Sequence, residues 1–373
     1  SYLALLAESP HVLYRVVKLV SSSRWLADYL TRHPLLLNKL LDERDADPFI
    51  RKEVLERSLV NELATYDNDN IEDQMNCLRH FKHARIFDLA IHGISSPRSF
   101  ESSCGEITKL TEVLLQYILK AVWRQMNKEG EPKFSIIAYG KLGSREMTYN
   151  SDVDIVFLYD DSGPEALDTY IRLSQRINLW LTTHTSEGIL YKTDFRLRPD
   201  GAQGLLAVPI KSFAEYLQKR AWIWEHQALT RGRWVAGDES VGLEFNDIRE
   251  EVLRQRRDIS GLGREIVKMR DKMRKEEKKI AGSFDLKHHR GGIVDIEFIV
   301  QYLVLAYANK YPDLTENIGN FRLLHLAGEI GLIPETLAEQ VANAFRQYML
   351  WLHTSRLMGN EDGSVEIEKV AGY

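Results

Sequence analysis

The chain has 373 residues, enough for two or three domains, and its formal net charge of −5 argues against a general nucleic-acid binder. Two cysteines, Cys77 and Cys104, are too few for a disulfide framework or a cysteine-based zinc site and suit a reducing, cytoplasmic setting. No apolar run is long enough to span a membrane, no secretory signal opens the chain, and its start at Ser1 without a methionine reads as a fragment of something longer.

Residues 1–125 read as helix after helix. HPLLLNKLLDERD carries leucines at helical spacing behind a His33–Pro34 entrance, and RKEVLERSLVNELATYD and DQMNCLRHFKHARIFDLAIHGI repeat the amphipathic pattern. SSPRS at 95–99 breaks the pattern, a further apolar-periodic run spans Ile107 to Met126, and EGEPK ends it. His80, His83 and His92 are expected as ordinary helix histidines, not as ligands.

The next stretch is the pointed one. FSIIAY, ended by Gly140, reads as a strand, and IVFLY at Ile155–Tyr159 as a second strand apolar on both faces. Asp152 and Asp154 stand two apart at its head, so the strand period puts both carboxylates on one face while Val153 and Ile155 point into the core. Two like charges held that close call for a cation, and magnesium prefers a pair of carboxylates plus substrate phosphates. Between the strands, Gly140, Gly143 and Ser144 form a turn whose N–H groups could cradle an anion, with Lys141 adding charge. A plain surface Asp-x-Asp at a strand mouth is the competing account. Leu-Gly-Ser, seven residues, then Asp-x-Asp resembles the nucleotidyltransferase signature of the polymerase-β-like superfamily, which requires a third carboxylate on a later strand.

After an amphipathic helix from Pro164 to Thr183, the run ILYKTDFRLR at 189–198 offers that strand, with Asp194 in its middle and Arg196 and Arg198 on the same face. Guanidinium forks there would suit a triphosphate or an outgoing pyrophosphate, and a solvated ion pair is the alternative. Helix resumes near Ile210. In WIWEHQALTRGR, Glu225 or His226 could be argued as a base, but a buried aromatic helix with a charged edge is the simpler account.

Residues 246–373 return to helix. REIVKMRDKMRKEEKKI at 264–280 is a charged helix laced with opposite-sign pairs. Lys287, His288, His289 and Arg290 gather ahead of Gly291–Gly292, and a long apolar helix starts near Ile293. Asp295 and Glu297 fall in its first turns, where helix capping competes with a role at the site. The two histidines lack further ligands for zinc.

Taken together, YGKLGSREMTYNSDVDIVF, EGILYKTDFRLRPDGAQG, WEHQALTRGR and FDLKHHRGGIVDIEF are similar to the glutamine synthetase adenylyltransferase family, over nearly the whole chain. Ser144 and Met147 depart mildly from that family's GKLGG-x-E-L wording. The resemblance implies an α+β fold: a polymerase-β-like nucleotidyltransferase domain at 126–245, a small mixed sheet with helices, flanked by helical regions at 1–125 and 246–373. It implies a catalytic and metal triad of Asp152, Asp154 and Asp194 holding two Mg²⁺ ions. Gly140, Lys141, Gly143, Ser144, Arg196 and Arg198 would lie around the ATP phosphates, with Asp295 and Glu297 as possible additions. AMP would pass to a tyrosine of glutamine synthetase, under control of the PII protein and glutamine, with neither nucleic acid nor membrane involved. The family's full-length enzyme has two such halves, and WEHQAL resembles the adenylylating, C-terminal one; the removing half carries DWERYAM-type wording. The AMP-removing half, a uridylyltransferase acting on PII, and a non-catalytic docking module stand as alternatives.

Overall fold

The computed structural model describes residues 10–41, 50–67, 70–95, 100–275, 283–359, 363–366 and 370. The SSPRS break and the end of the charged helix beyond residue 275 lie largely outside them. In chain order the first helices are α1 (Pro10–Ser22), α2 (Arg24–Arg32), a 3₁₀ turn at Pro34–Leu36, α3 (Leu37–Leu41), α4 (Lys52–Leu63), α5 (Ile71–Ser95) and α6 (Phe100–Gln125). Pro34 opens the 3₁₀ turn, where a missing N–H costs nothing. Strand β1 (Phe134–Ala138), a single helical turn α7 (Gly140–Gly143), β2 (Val153–Tyr159), α8 (Ala166–Thr182), β3 (Thr193–Asp194) and β4 (Ala207–Pro209) follow. Then come α9 (Ile210–Lys219), α10 (Ile223–Leu229), β5 (Arg233–Gly237), α11 (Glu239–Leu253) and α12 (Ile259–Lys275). The chain continues with β6 (Ser283–Asp285), α13 (Ile293–Tyr307), α14 (Asn320–Glu329), α15 (Glu335–Leu357) and β7 (Ser364–Glu366).

The α+β expectation holds. The sheet runs β3-β2-β1-β5, with β4 also pairing with β2; β1 is antiparallel to β2 and β5, while β3 and β4 run parallel to β2. Strands β4 and β5 were not legible as strands, because each is short and follows or precedes a helix in a stretch dominated by helical spacing. β3 is also shorter than expected: it ends at Asp194, and residues 195–204 form a loop, so Arg196 and Arg198 lie on no strand face.

Both faces of the sheet are covered. Phe134, Ile136, Val153, Ile155 and Phe157 join the core made with α1 to α6 and α8. Ile137, Val156 and Leu158, of opposite parity, join a second core made with α9 to α15. Asp154 shares the parity of Val156 and so faces the second layer, at its edge, and Asp152 stands just ahead of the strand.

Two buried arginines weld helix ends to this frame. Arg79 on α5 donates to the carbonyls of Met75, Trp180, Thr183 and Gly188, tying α5 to the C-terminus of α8 and to the turn that leads into β3. Arg249 on α11 donates to Leu229, Thr230 and Thr315, closing the end of α10. In each case guanidinium N–H groups satisfy carbonyls that a helix end leaves over.

The aromatic stretch at 222–226 differs from expectation. Trp222 and Trp224 are the exposed residues there, at 71% and 37%, while Glu225 and His226 are buried. Glu225 accepts from the Tyr216 hydroxyl (2.7 Å) and the Trp222 N–H (2.8 Å), and His226 bonds the Leu217 carbonyl (2.9 Å). Neither is available as a base. The two cysteine thiols are buried and pushed up by that burial, Cys77 to about 12, so both are inert.

Candidate active site

The site is assembled where β2 meets the turn α7 and β3. The parallel pairing of β2 with β3 places Val153 opposite Thr193 and Asp154 opposite Asp194, so the third carboxylate is delivered beside the second by backbone register. Asp152 is exposed one step earlier. Burial pushes the Asp154 carboxyl up to about 6, and the charges of Asp152 and Asp194 push in the same direction. That is the electrostatic signature of carboxylates with too little positive charge between them.

Gly140 and Gly143 are both required. Gly140 sits at φ +53°, and a Cβ there would lie 2.2 Å from Oδ2 of Asp154. A Cβ on Gly143 would lie 1.9 Å from the Arg231 carbonyl oxygen. The backbone N–H groups of Gly143 and Ser144, expected to face an anion, instead donate to the Tyr139 and Gly140 carbonyls at 2.9 and 3.0 Å and close the helical turn. The Ser144 hydroxyl likewise donates to Gly140 (3.0 Å) and to Oε2 of Glu146 (2.8 Å). Lys141 is the charged group of the turn. Burial lowers its ammonium to about 8, Lys287 and Arg356 add to that, and Glu297 and Asp152 oppose it.

Arg196 and Arg198 part company. Arg196 is largely exposed and grips Asp194, Nε to Oδ2 at 2.8 Å with its own N–H to Oδ1 at 2.8 Å. That hydrogen bonding holds the Asp194 carboxyl below the usual range. Arg198 spends its donors on the carbonyls of Phe195, Ala202 and Gly204, folding the 195–204 loop back on itself. It belongs to the architecture of the loop, which begins after Asp194 and turns at the left-handed Asp200.

Asp295 and Glu297 also diverge. Asp295 pairs with Arg270 and Arg274 on α12, each at 2.6 Å, and accepts the Gly291 N–H at 2.8 Å. Burial pushes its carboxyl up, but those partners outweigh it and hold it low. Glu297 turns the other way, to Arg231 at 2.6 Å. Sequence reasoning missed Glu146, Arg356 and Asn317 around the turn. Glu146 stands two residues past Ser144, inside the quoted motif, where the motif wording itself could have pointed to it; Arg356 and Asn317 come from far along the chain, and no local spacing links them to the turn.

Among the described residues no three acidic, histidine or cysteine side chains already stand as a metal cage. The donor set nonetheless suits a hard divalent cation: Asp152 and Asp154 are oxygen donors with uncompensated charge, and Asp194 is in register beside them, held by an exposed arginine. A cavity of about 770 Å³ opens beside Asp152. Its walls include Trp25, Tyr29, Lys82, Tyr149, Lys192 and Arg356, so both helical flanks contribute.

A family model described as glutamate-ammonia ligase adenylyltransferase matches residues 13–248, and one described as GlnD PII-uridylyltransferase matches residues 264–362. Curated relatives described as bifunctional glutamine synthetase adenylyltransferase/adenylyl-removing enzyme align over almost the whole chain. That of Aromatoleum aromaticum is 47% identical over 96% of this chain and 38% of its own length. That of Nitrosomonas europaea is 46% identical over 97% and 40%. That of Neisseria meningitidis serogroup A is 40% identical over 100% and 42%. The chain thus spans about two fifths of the length of the curated relatives it matches.

Proposed function

Since the chain belongs to the glutamate-ammonia ligase adenylyltransferase family, we propose that it transfers AMP from ATP to a tyrosine hydroxyl of glutamine synthetase and releases pyrophosphate. The observation that carries the reading is the register that sets Asp194 beside Asp154, with Asp152 one step away and Gly140 against the Asp154 carboxylate. Residues 126–245 act as the catalytic domain, and 1–125 and 246–373 as helical flanks on its two faces.

Asp152 and Asp154, with Asp194 beside them, would hold two Mg²⁺ ions, which when bound neutralise the outgoing pyrophosphate and ease ionisation of the acceptor hydroxyl. The chain's own groups do the rest. Lys141, with Lys287 and Arg356 near it, supplies positive charge for the triphosphate. Gly140 lets the turn approach Asp154 without a side chain between them. Arg196 exchanges Asp194 for a phosphate oxygen, which its exposed side chain permits and its fork geometry favours. Asp194, so released, accepts the tyrosine proton. The phenolic oxygen then bonds the α-phosphorus, and the bond to the bridging oxygen breaks with its electron pair leaving on pyrophosphate.

The WEHQAL wording at Trp224–Leu229 supports the adding direction over the removing one. Control by PII is supported by the uridylyltransferase-type match at 264–362. Glutamine as an effector and a cytoplasmic place of action follow from the same family reading. Among the described residues no helix is long and apolar enough to cross a membrane.

The test is direct. With Mg²⁺, α-labelled ATP and unmodified glutamine synthetase, mass analysis should find AMP on a synthetase tyrosine, and Asp152→Asn should reduce the rate by at least about 10³-fold, as expected for loss of a metal-holding carboxylate. Phosphate-dependent release of ADP from adenylylated synthetase, without the forward reaction, would reassign the chain to removal.

A further inference from the structure

The turn α7 is held from both sides by side chains remote in sequence. From the N-terminal flank, Glu112 on α6 pairs with Lys52 (2.8 Å) and with Arg233 (2.7 Å). Arg233 then donates to the carbonyls of Gly143 (3.0 Å) and Leu142 (2.9 Å). From the C-terminal flank, Asn317 donates to the same Gly143 carbonyl at 3.0 Å. Glu297 on α13 pairs with Arg231, whose Nη2 also stands 4.0 Å from Glu146, and Glu146 accepts from Ser144 and Asn320. Arg231, Glu146 and Glu297 are 12%, 14% and 19% exposed at the side chain. In so dry a place the pairing is strong and a misplaced charge is expensive, so the three groups have one good arrangement.

Two residues apart on one helix, Asp295 and Glu297 point in directions about 160° apart, and they do different things. Asp295 fastens α13 to α12. Glu297 reaches the catalytic turn. We propose that the helical region beyond residue 246 positions that turn, with Glu297 acting through Arg231 and Glu146 and Asn317 acting on the Gly143 carbonyl. Glu297 is thus a positioning residue and not a metal ligand. The inference rests on the turn's part in the proposed transfer, but its physical content is independent of the substrate.

Amide exchange over residues 140–146 and steady-state AMP transfer should be measured for wild type, Glu297→Gln, Asn317→Ala and Asp295→Asn. Glu297→Gln and Asn317→Ala should each speed exchange in the turn by at least about tenfold, as local opening is made easier. They should lower kcat about 10–100-fold while KM for ATP moves less than about threefold, the pattern of a turn that still binds but is misplaced. Asp295→Asn should lower the melting temperature, but it should leave turn exchange and kcat within about twofold of wild type. Unchanged exchange in the turn for Asn317→Ala and for a folded Glu297→Gln would overturn the proposal. So would a loss of kcat in Asp295→Asn equal to that in Glu297→Gln. Should Glu297→Gln not fold, Asn317→Ala decides alone. The exchange result needs no transfer reaction, so a wild type inactive on glutamine synthetase would defeat the proposed function and leave the positioning measurement standing.

Discussion

Gly140 and Gly143 stand three residues apart in one turn, yet they answer to different constraints. Gly143 is pressed against a backbone carbonyl, that of Arg231, which cannot step aside. Gly143→Ala should therefore cost roughly 1–3 kcal/mol of stability, as overpacking does, read from denaturant midpoints. At Gly140 the obstacle is the end of a side chain, the Asp154 carboxylate, together with a left-handed φ of +53°. Gly140→Ala should cost about 1 kcal/mol in stability but far more in rate, because Asp154 is the group that moves. Equal effects on both quantities in both variants would contradict this division. The sequence alone carried the glycines and the carboxylate pair into view, since Asp-x-Asp parity depends only on the strand period. It could not say that the Gly143 and Ser144 N–H groups are spent inside the turn, which depends on how the chain closes there.

Among the elements, β3 shows why a short strand is enough. Two residues suffice because the turn before it is held elsewhere: Arg79 on α5 takes the carbonyls of Thr183 and Gly188 at 2.6 and 2.7 Å and is itself fully buried. Burial lowers its guanidinium to about 10, which still leaves it charged at neutral pH. Arg79→Met keeps the volume but removes the donors on which the Trp180 and Thr183 carbonyls depend, so it should cost at least about 3 kcal/mol in urea unfolding. It should also loosen residues 184–194, read by limited proteolysis. A loss under about 1 kcal/mol would mean that the carbonyls find other donors. Expecting a continuous strand through Arg198 failed for a related reason. Alternating residues at 189–198 look like a strand, but Arg198 gains more from three nearby carbonyls in a loop than from a sheet edge.

At the scale of the whole molecule, both helical flanks attach close to the catalytic loop through buried neutral imidazoles. His83 of α5 hydrogen-bonds the Glu187 carbonyl at 3.2 Å while stacking on His33, and His353 of α15 packs on Tyr149 at 4.6 Å. Burial lowers His83 to about 3, with His33 and Lys82 adding to the effect, and lowers His353 to about 4, with Arg356 adding. Because both folded values lie below the unfolded 6.5, the unfolded chain takes up protons first on acidification. Stability is therefore fully present above about pH 6.5 and falls as pH drops toward 4. At pH 5 each histidine should account for a loss of up to about 2 kcal/mol. Urea midpoints at pH 7 and pH 5 should show a fall in wild type that is smaller in His83→Gln and in His353→Gln. An unaltered fall in both would refute the assignment.

The sequence by itself determined the element types over most of the chain, the Asp152–Asp154 pair at the head of the second strand, and the family. These depend on spacings of two to four residues and on motif wording, both of which are local. The tertiary structure alone decided that Asp194 lies in register with Asp154 and that Arg196 holds it. It also decided that Arg198 and Asp295 serve the scaffold while Glu297 reaches the turn. Those outcomes depend on which segments, tens to more than a hundred residues apart, share a buried volume, and on which of several nearby partners a charge meets once water is excluded.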